Sequence, residues 1–319
     1  MKLSATIASL LGAGILASMA PAQAQELTGT LKKIKETGTI NLGVRESSIP
    51  FSYLDDKQAF QGYSVDLCMK VVLAVQRHLK LDSGLKTQFL PVTSATRIPL
   101  MANGTIDLEC GSTTNNLERQ KQVAFSPTMF VTGTRLLAKK TSNIRSLADL
   151  KGKAVVSSSG TAILKQITIM NGEQNLGMNI ITGKDHAESF LMLETGRAAA
   201  FAMDDILLAS LAANSKSPAD YELTKESLSV EPYGLMMRRE DPAFKAVVDQ
   251  ALSNIFTSGD IKTIYAKWFQ SPIPPKGVNL KFPMTPQLEA VFKKPTDSGD
   301  PAAYAAVPEA QKNLGKKKK

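Results

Sequence analysis

Residues 147–161 read Leu-Ala-Asp-Leu-Lys-Gly-Lys-Ala-Val-Val-Ser-Ser-Ser-Gly-Thr. Leu147 to Gly152 leads into a short strand at Lys153 to Ser157. Ser158 to Thr161 is then a hydroxyl-rich turn that opens a helix. The same alternation runs through much of the chain. Thr39 to Val44 is a strand, and Gly62-Tyr63-Ser64 precedes a helix whose apolar positions Val65, Met69, Val72, Val75 and Leu79 fall near a spacing of 3.6. Leu85 to Pro91 alternates as a strand, Arg97 to Asn103 is a short helix stopped by Gly104, and Ile106 to Cys110 is the next strand. Beyond a second start near Thr132, strands at Asn179 to Thr182 and Ala198 to Met203 flank a helix at Phe190 to Thr195. A strand from Tyr233 and helices around Phe244 to Phe256 and Ile261 to Phe269 follow, stopped by Pro272, Pro274 and Pro275. Repeated strand–helix units predict an α/β fold with largely parallel sheets. No linker divides the two units, so the chain is expected to cross between two lobes more than once.

The 319 residues suit about two domains, and a hydrophobic content of 43% excludes a disordered chain. The formal charge of +9 invites a nucleic-acid or membrane-surface reading. Its placement argues against both. Lys312 and Lys316 to Lys319 lie at the extreme C-terminus and Lys2 at the N-terminus, so the body between is close to neutral. Residues 1–24 combine Lys2, an apolar run from Ile7 to Met19 and the triplet Ala22-Gln23-Ala24, the pattern of an export signal cleaved after Ala24. The apolar run is too short for a membrane span. Export leaves two readings for Cys68 and Cys110: a disulfide, or two small buried apolar residues. Two histidines and two cysteines, scattered, offer no zinc spacing, and no metal or cofactor is expected.

Catalytic signatures are missing from the mature chain: no G-x-S-x-G, no H-E-x-x-H, no phosphate-loop lysine and no dinucleotide fingerprint. Polar groups instead cluster just past strand ends, where open α/β sheets bind ligands. Arg45 follows Val44. Ser94 and Arg97 follow Val92, and Ser112, Thr114 and Arg119 follow Cys110. Thr161, His186, and Asp204 with Asp205 follow later strands. Guanidinium groups grip carboxylates through paired hydrogen bonds. Hydroxyl turns at helix starts suit anions, and an acid at another strand end suits an ammonium. Together these groups fit a small zwitterion with one additional negative charge.

The strings Gly62-Tyr-Ser-Val-Asp-Leu67, Asn103-Gly-Thr-Ile-Asp107, Glu118-Arg119 with Phe125-Ser126-Pro127, Leu150-Lys-Gly-Lys-Ala154, Ser159-Gly-Thr161 and Lys267-Trp268-Phe269 occur in that order. With them the chain resembles the polar amino-acid-binding proteins of ABC importers, family 3 of the bacterial solute-binding proteins, over about residues 30–295. The stretches Arg45 to Tyr53, Thr96 to Leu100, Glu109 to Asn116 and Lys184-Asp-His186 resemble members that take acidic amino acids. The resemblance implies a two-lobed type II periplasmic binding protein with two crossover hinge strands, near Phe130 to Gly133 and Val230 to Pro232. Lobe 1 would comprise residues 25–131 and 232–295, lobe 2 residues 132–231, and residues 296–319 a polar Lys-rich tail. It implies a monomeric, non-enzymatic periplasmic receptor that captures L-glutamate or L-aspartate by cleft closure and delivers it to a membrane permease, with no nucleic-acid partner.

Residue by residue, the resemblance implies that Arg119, Thr114 and the Thr161 turn hold the ligand α-carboxylate. Asp204, with Ser112 and Thr114, would take the α-ammonium, ahead of Asp205. Arg45, Ser94, Arg97 and His186 would surround the side-chain carboxylate. Two departures stand out. Ala162 replaces a second threonine common in relatives, and Leu235 stands where relatives carry a cysteine, which removes that partner for Cys110. Two other readings are a dehydratase on the same scaffold, with Glu109 or Asp204 as its acid, and a sensory ligand-binding protein.

Overall fold

The computed structural model describes residues 27–304. The export signal and the terminal lysines lie outside the described residues.

Two five-stranded sheets carry the fold. The first runs in the order Lys86–Pro91, Thr39–Val44, Leu108–Cys110, Met236–Arg238, Val123–Phe125. Its first three strands are parallel, with Leu42 level with both Phe89 and Leu108, and Met236–Arg238 enters antiparallel between its neighbours. The second runs Asn179–Gly183, Ala154–Ser158, Ala200–Asp204, Thr134–Lys139, Tyr221–Leu223. Again three strands are parallel, and Thr134–Lys139 is antiparallel to both neighbours. Parallel pairing needs a helical crossover, which the strand–helix alternation supplies.

Two short strands connect the sheets and pair with each other. Phe130–Thr132 and Glu231–Tyr233 pair antiparallel, Thr132 against Glu231 and Phe130 against Tyr233. The ribbon is anchored by aromatic packing. Phe130 stacks on Phe269 at 5.0 Å, and Phe51 meets Phe130 and Tyr233 edge-on at 5.0 and 5.2 Å. Aromatics are only 6% of the chain, so their concentration here is a specific use of them.

The strings that carry the resemblance prove to be partners. Asp66, in the first turn of the helix Tyr63–His78, accepts from Trp268 Nε1 at 2.7 Å and pairs with Lys267 at 2.6 Å. Asp107, fully buried, accepts from the Asn41 backbone at 2.9 Å and pairs with Lys33 and Arg238 at 2.5 and 2.9 Å. Ser126 exchanges hydrogen bonds with the Leu235 backbone.

One open reading is settled and several expectations are revised. Cys68 and Cys110 form a disulfide with Cα atoms 6.1 Å apart, tying the helix Tyr63–His78 to the strand Leu108–Cys110. The cysteine missing at position 235 is therefore not needed by Cys110. The helix expected from Phe190 spans His186–Glu194, because Asp185 caps it by accepting from His186 N. A helix at Pro286–Lys293 has the caps that mark such a start, Thr285 accepting from Leu288 N with Pro at N1. Residues 296–304, expected to begin a polar tail, pack on the first sheet's unit. Thr128 N donates to Thr296 O at 2.8 Å, Lys245 pairs with Asp297 at 2.8 Å, and the buried Tyr304 hydroxyl meets Thr128 Oγ1 at 2.7 Å.

The disulfide spans a sequence separation of 42. Replacing both cysteines with alanine should lower the unfolding free energy by about 2–4 kcal/mol, read as a lower urea midpoint under oxidising conditions. An unchanged midpoint would show that the bond adds no constraint to the unfolded chain.

Candidate ligand site between the lobes

The strand ends of both sheets bring the candidate residues together. Arg45 leaves the Thr39–Val44 strand and is fully buried. Its backbone N–H donates to Ser52 Oγ at 2.8 Å. Its Nη2 pairs with Asp185 Oδ1 at 2.5 Å and lies 3.5 Å from His186 Nε2, while Nε and Nη1 have no partner. Gly111 passes directly over this arginine and Glu109, and any Cβ there would strike the Glu109 carboxylate.

Arg97, 2% exposed, opens the helix Arg97–Ala102. It donates to Thr113 Oγ1, and to Ser112 O at 3.4 Å, and stands 3.8 Å from Glu109 Oε1. Thr113 Oγ1 in turn donates to Glu109 Oε2 at 2.6 Å. Burial, then the Arg119 charge, lower the Arg97 pKa to about 9, which leaves the group a cation at neutral pH. Its Nε has no partner, nor do the buried hydroxyls of Ser94 and Ser112.

Arg119 reaches across the lobes. Nη1 donates to Thr114 O at 2.8 Å and Nη2 to Gly160 O at 3.3 Å. Gly160 has φ +74° and packs against Ala95, where a Cβ would sit 2.5 Å from Ala95 Cα. Only glycine admits that approach with that backbone. The Thr161 hydroxyl caps the helix Ala162–Glu173, accepting from Leu164 N at 3.1 Å and donating to Ser158 O at 2.8 Å.

His186 is buried at the start of its helix, with Nδ1 2.8 Å from Ser158 Oγ. Burial, then the Arg45 charge, pull its pKa down to about 3, so the ring is neutral at physiological pH. Asp204 closes the Ala200–Asp204 strand, buried, with Oδ1 unpartnered. Burial, then the Glu231 carboxylate, push its pKa well above the usual range. The adjacent Asp205 is engaged elsewhere, by Thr132 Oγ1 at 2.6 Å and Arg135 at 3.5 Å.

All nine candidate residues thus lie in one buried region where the two sheets' strand ends meet, and Asp205 faces away from the unpartnered set. Sequence reasoning missed Asp185, Thr113, Glu231 and Tyr233, and considered Glu109 only as an enzyme's acid. Asp185 lies inside the quoted Lys184-Asp-His186, between a strand and a helix, where an N-cap signal was legible. Glu231 and Tyr233 belong to the hinge ribbon, whose pairing across about a hundred residues leaves no local trace. Buried donors of Arg45, Arg97, Ser94 and Ser112 without partners, and a buried Asp204 acceptor without one, are what a site for a carboxylate and an ammonium requires. Among the described residues no group of His, Cys, Asp and Glu is arranged to hold a metal ion.

Comparison with known proteins agrees with this geometry. The chain is 55% identical to an L-glutamate/L-aspartate-binding protein of Pseudomonas aeruginosa, over 91% of this chain and 96% of that protein. It is 46% identical to a glutamate/aspartate import solute-binding protein of Escherichia coli, over 93% and 99%. A solved structure of a mutant of ArgBP from T. maritima superimposes with a TM-score of 0.67 at 26% identity, covering 75% of this chain and 99% of that one. The family model for bacterial extracellular solute-binding proteins, family 3, matches residues 40–271. The chain belongs to that family.

Proposed function

We propose that this chain is a periplasmic receptor that captures L-glutamate or L-aspartate between its lobes and, as a monomer, hands it to the membrane permease of an ABC importer. The observation that carries the reading is the set of buried, unpartnered donors on Arg45 and Arg97 beside the unpartnered Asp204 acceptor. A dicarboxylate amino acid satisfies both. The names of the relatives support the ligand class, and all of them are named as binding proteins, which disfavours the dehydratase alternative.

In this reading Arg119 takes the α-carboxylate together with Thr114 and the backbone of the Thr161 turn. The Thr161 hydroxyl is spent on its cap, so this turn offers the ligand its backbone N–H groups. Asp204 takes the ammonium, with Ser112 and Thr114, and the ligand's positive charge replaces the proton that burial favours there. Arg45, Ser94, Arg97 and neutral His186 receive the side-chain carboxylate. Contacts from both lobes exist together only when the cleft is closed. Ligand therefore shifts the hinge equilibrium by its differential affinity for the closed form, and the closed form is what the permease receives.

Isothermal titration with the twenty amino acids should show L-glutamate and L-aspartate binding far more tightly than glutamine or asparagine; binding of neither acidic amino acid would overturn the reading. Arg97→Ala should weaken glutamate binding by about 3 kcal/mol, on the order of a hundredfold, because it leaves a desolvated carboxylate short of its cation. An unchanged titration would remove Arg97 from the site. His186 gives a pH signature in the ligand-free protein. The unfolded chain takes up a proton near pH 6.5 that the folded site refuses until about 3, so this residue's share of stability is intact above pH 6.5 and is lost as pH falls toward 3. Urea unfolding of wild type and His186→Asn should diverge over that window, with wild type losing stability faster, whereas parallel curves would show a histidine that protonates freely in the fold.

A further inference from the structure

Asp185 stands outside the ligand-contacting set, yet it is bonded to two members of it. One oxygen, Oδ1, accepts from Arg45 Nη2 at 2.5 Å and from the backbone N–H of His186 at 2.8 Å. Arg45 extends from the first sheet and Asp185 from the loop after Asn179–Gly183 in the second, so this ion pair spans the cleft. Arg45 is fully buried and Asp185 is 17% exposed, which distinguishes the pair from the other cross-lobe ion pair among the described residues, Lys165–Glu118, whose side chains are 60% and 59% exposed. Exposed pairs contribute little, whereas a buried arginine without its counter-ion is costly.

The geometry has a directional consequence. A guanidinium presents five donors in a fixed plane. Asp185 takes one from Nη2, and the Nε and Nη1 edge is left buried and unpartnered. Fixing one corner of a rigid plane fixes the direction in which the other edge points. The same oxygen caps the helix that begins with His186, so one carboxylate sets the placement of two side chains in the side-chain subsite.

We infer that Asp185 is a positioning residue for the acidic side-chain subsite and, through its ion pair with Arg45, a latch that holds the lobes closed. The subsite half of this inference rests on the proposed ligand class; the latch half does not. Because the pair can form only when the lobes meet, it acts on the closed form and on escape from it, not on the first encounter with ligand.

Asp185→Asn isolates the charge. Asparagine keeps an oxygen in the same place and is as good an N-cap, so the His186 helix start survives. Two readouts are taken, the closed fraction of ligand-free protein by fluorescence transfer between dyes on the two lobes, and L-glutamate association and release by stopped flow. The variant should lower the closed fraction and speed glutamate release roughly tenfold while association stays within about twofold. Glu118→Gln, which removes the exposed cross-lobe pair, should change neither. In an Arg45→Gln background, Asp185→Asn should have no further effect on either readout. An unchanged closed fraction overturns the latch, and an unchanged release rate overturns the positioning role. A full effect that persists without Arg45 shows that Asp185 acts through the cap alone and also overturns the inference. If wild type fails to bind glutamate, the functional reading falls, and the closed fraction still decides the latch.

Discussion

Three guanidinium groups are taken out of water at the place where two sheets present their strand ends, and the rest of the structure has to make that tolerable. Burying an uncompensated cation costs several kcal/mol or more. Each arginine here is answered by acids from different parts of the chain. Arg45 pairs with Asp185, Arg97 stands by Glu109, and Arg119 lies within the field of Glu231, Glu109 and Asp204. The compensation is incomplete: nitrogens of Arg45 and Arg97 still lack acceptors, which a ligand carboxylate would supply in the proposed reading.

Holding these groups in register is the work of the scaffold. Strand Thr39–Val44 sits inside the first sheet, between Lys86–Pro91 and Leu108–Cys110, so Arg45 leaves a rigid base. The disulfide ties the helix Tyr63–His78 to Leu108–Cys110, the strand immediately before Ser112, Thr113 and Thr114. The hinge ribbon is fastened at one end into an aromatic cluster and carries Glu231 at the other.

The legible parts of the sequence were those with local causes. Strand alternation, helix periodicity and glycine stops located most elements, and polar residues after strand ends located the candidate site, because a parallel sheet puts those ends along one edge. Errors fell where the cause was a partner far away in sequence. The helix at His186 begins earlier than its apolar periodicity suggests because Asp185 caps it, and nothing local shows that the same Asp185 is the counter-ion of Arg45. Residues 296–304 read as a polar tail because their composition is that of a tail; their order comes from Thr128, Asn115 and Lys245, which local reasoning cannot supply. The cysteine pairing stayed open for the same reason, since spacing alone does not say which face of a helix meets which strand.

The α/β class, the family-specific strings and the chemistry available to a ligand are all readable in the sequence, because periodicity and residue type act locally. Which donors remain free depends on contacts made in the folded chain. The Thr161 hydroxyl is engaged by its cap hydrogen bonds, Asp205 is separated from Asp204 by its bonds to Thr132 and Arg135, and Asp185 is a partner of Arg45. The physical reason is saturation: a side chain's capacity to bind is what its neighbours leave unused, and those neighbours lie anywhere from 3 residues away, at Thr161, to 140, at Asp185.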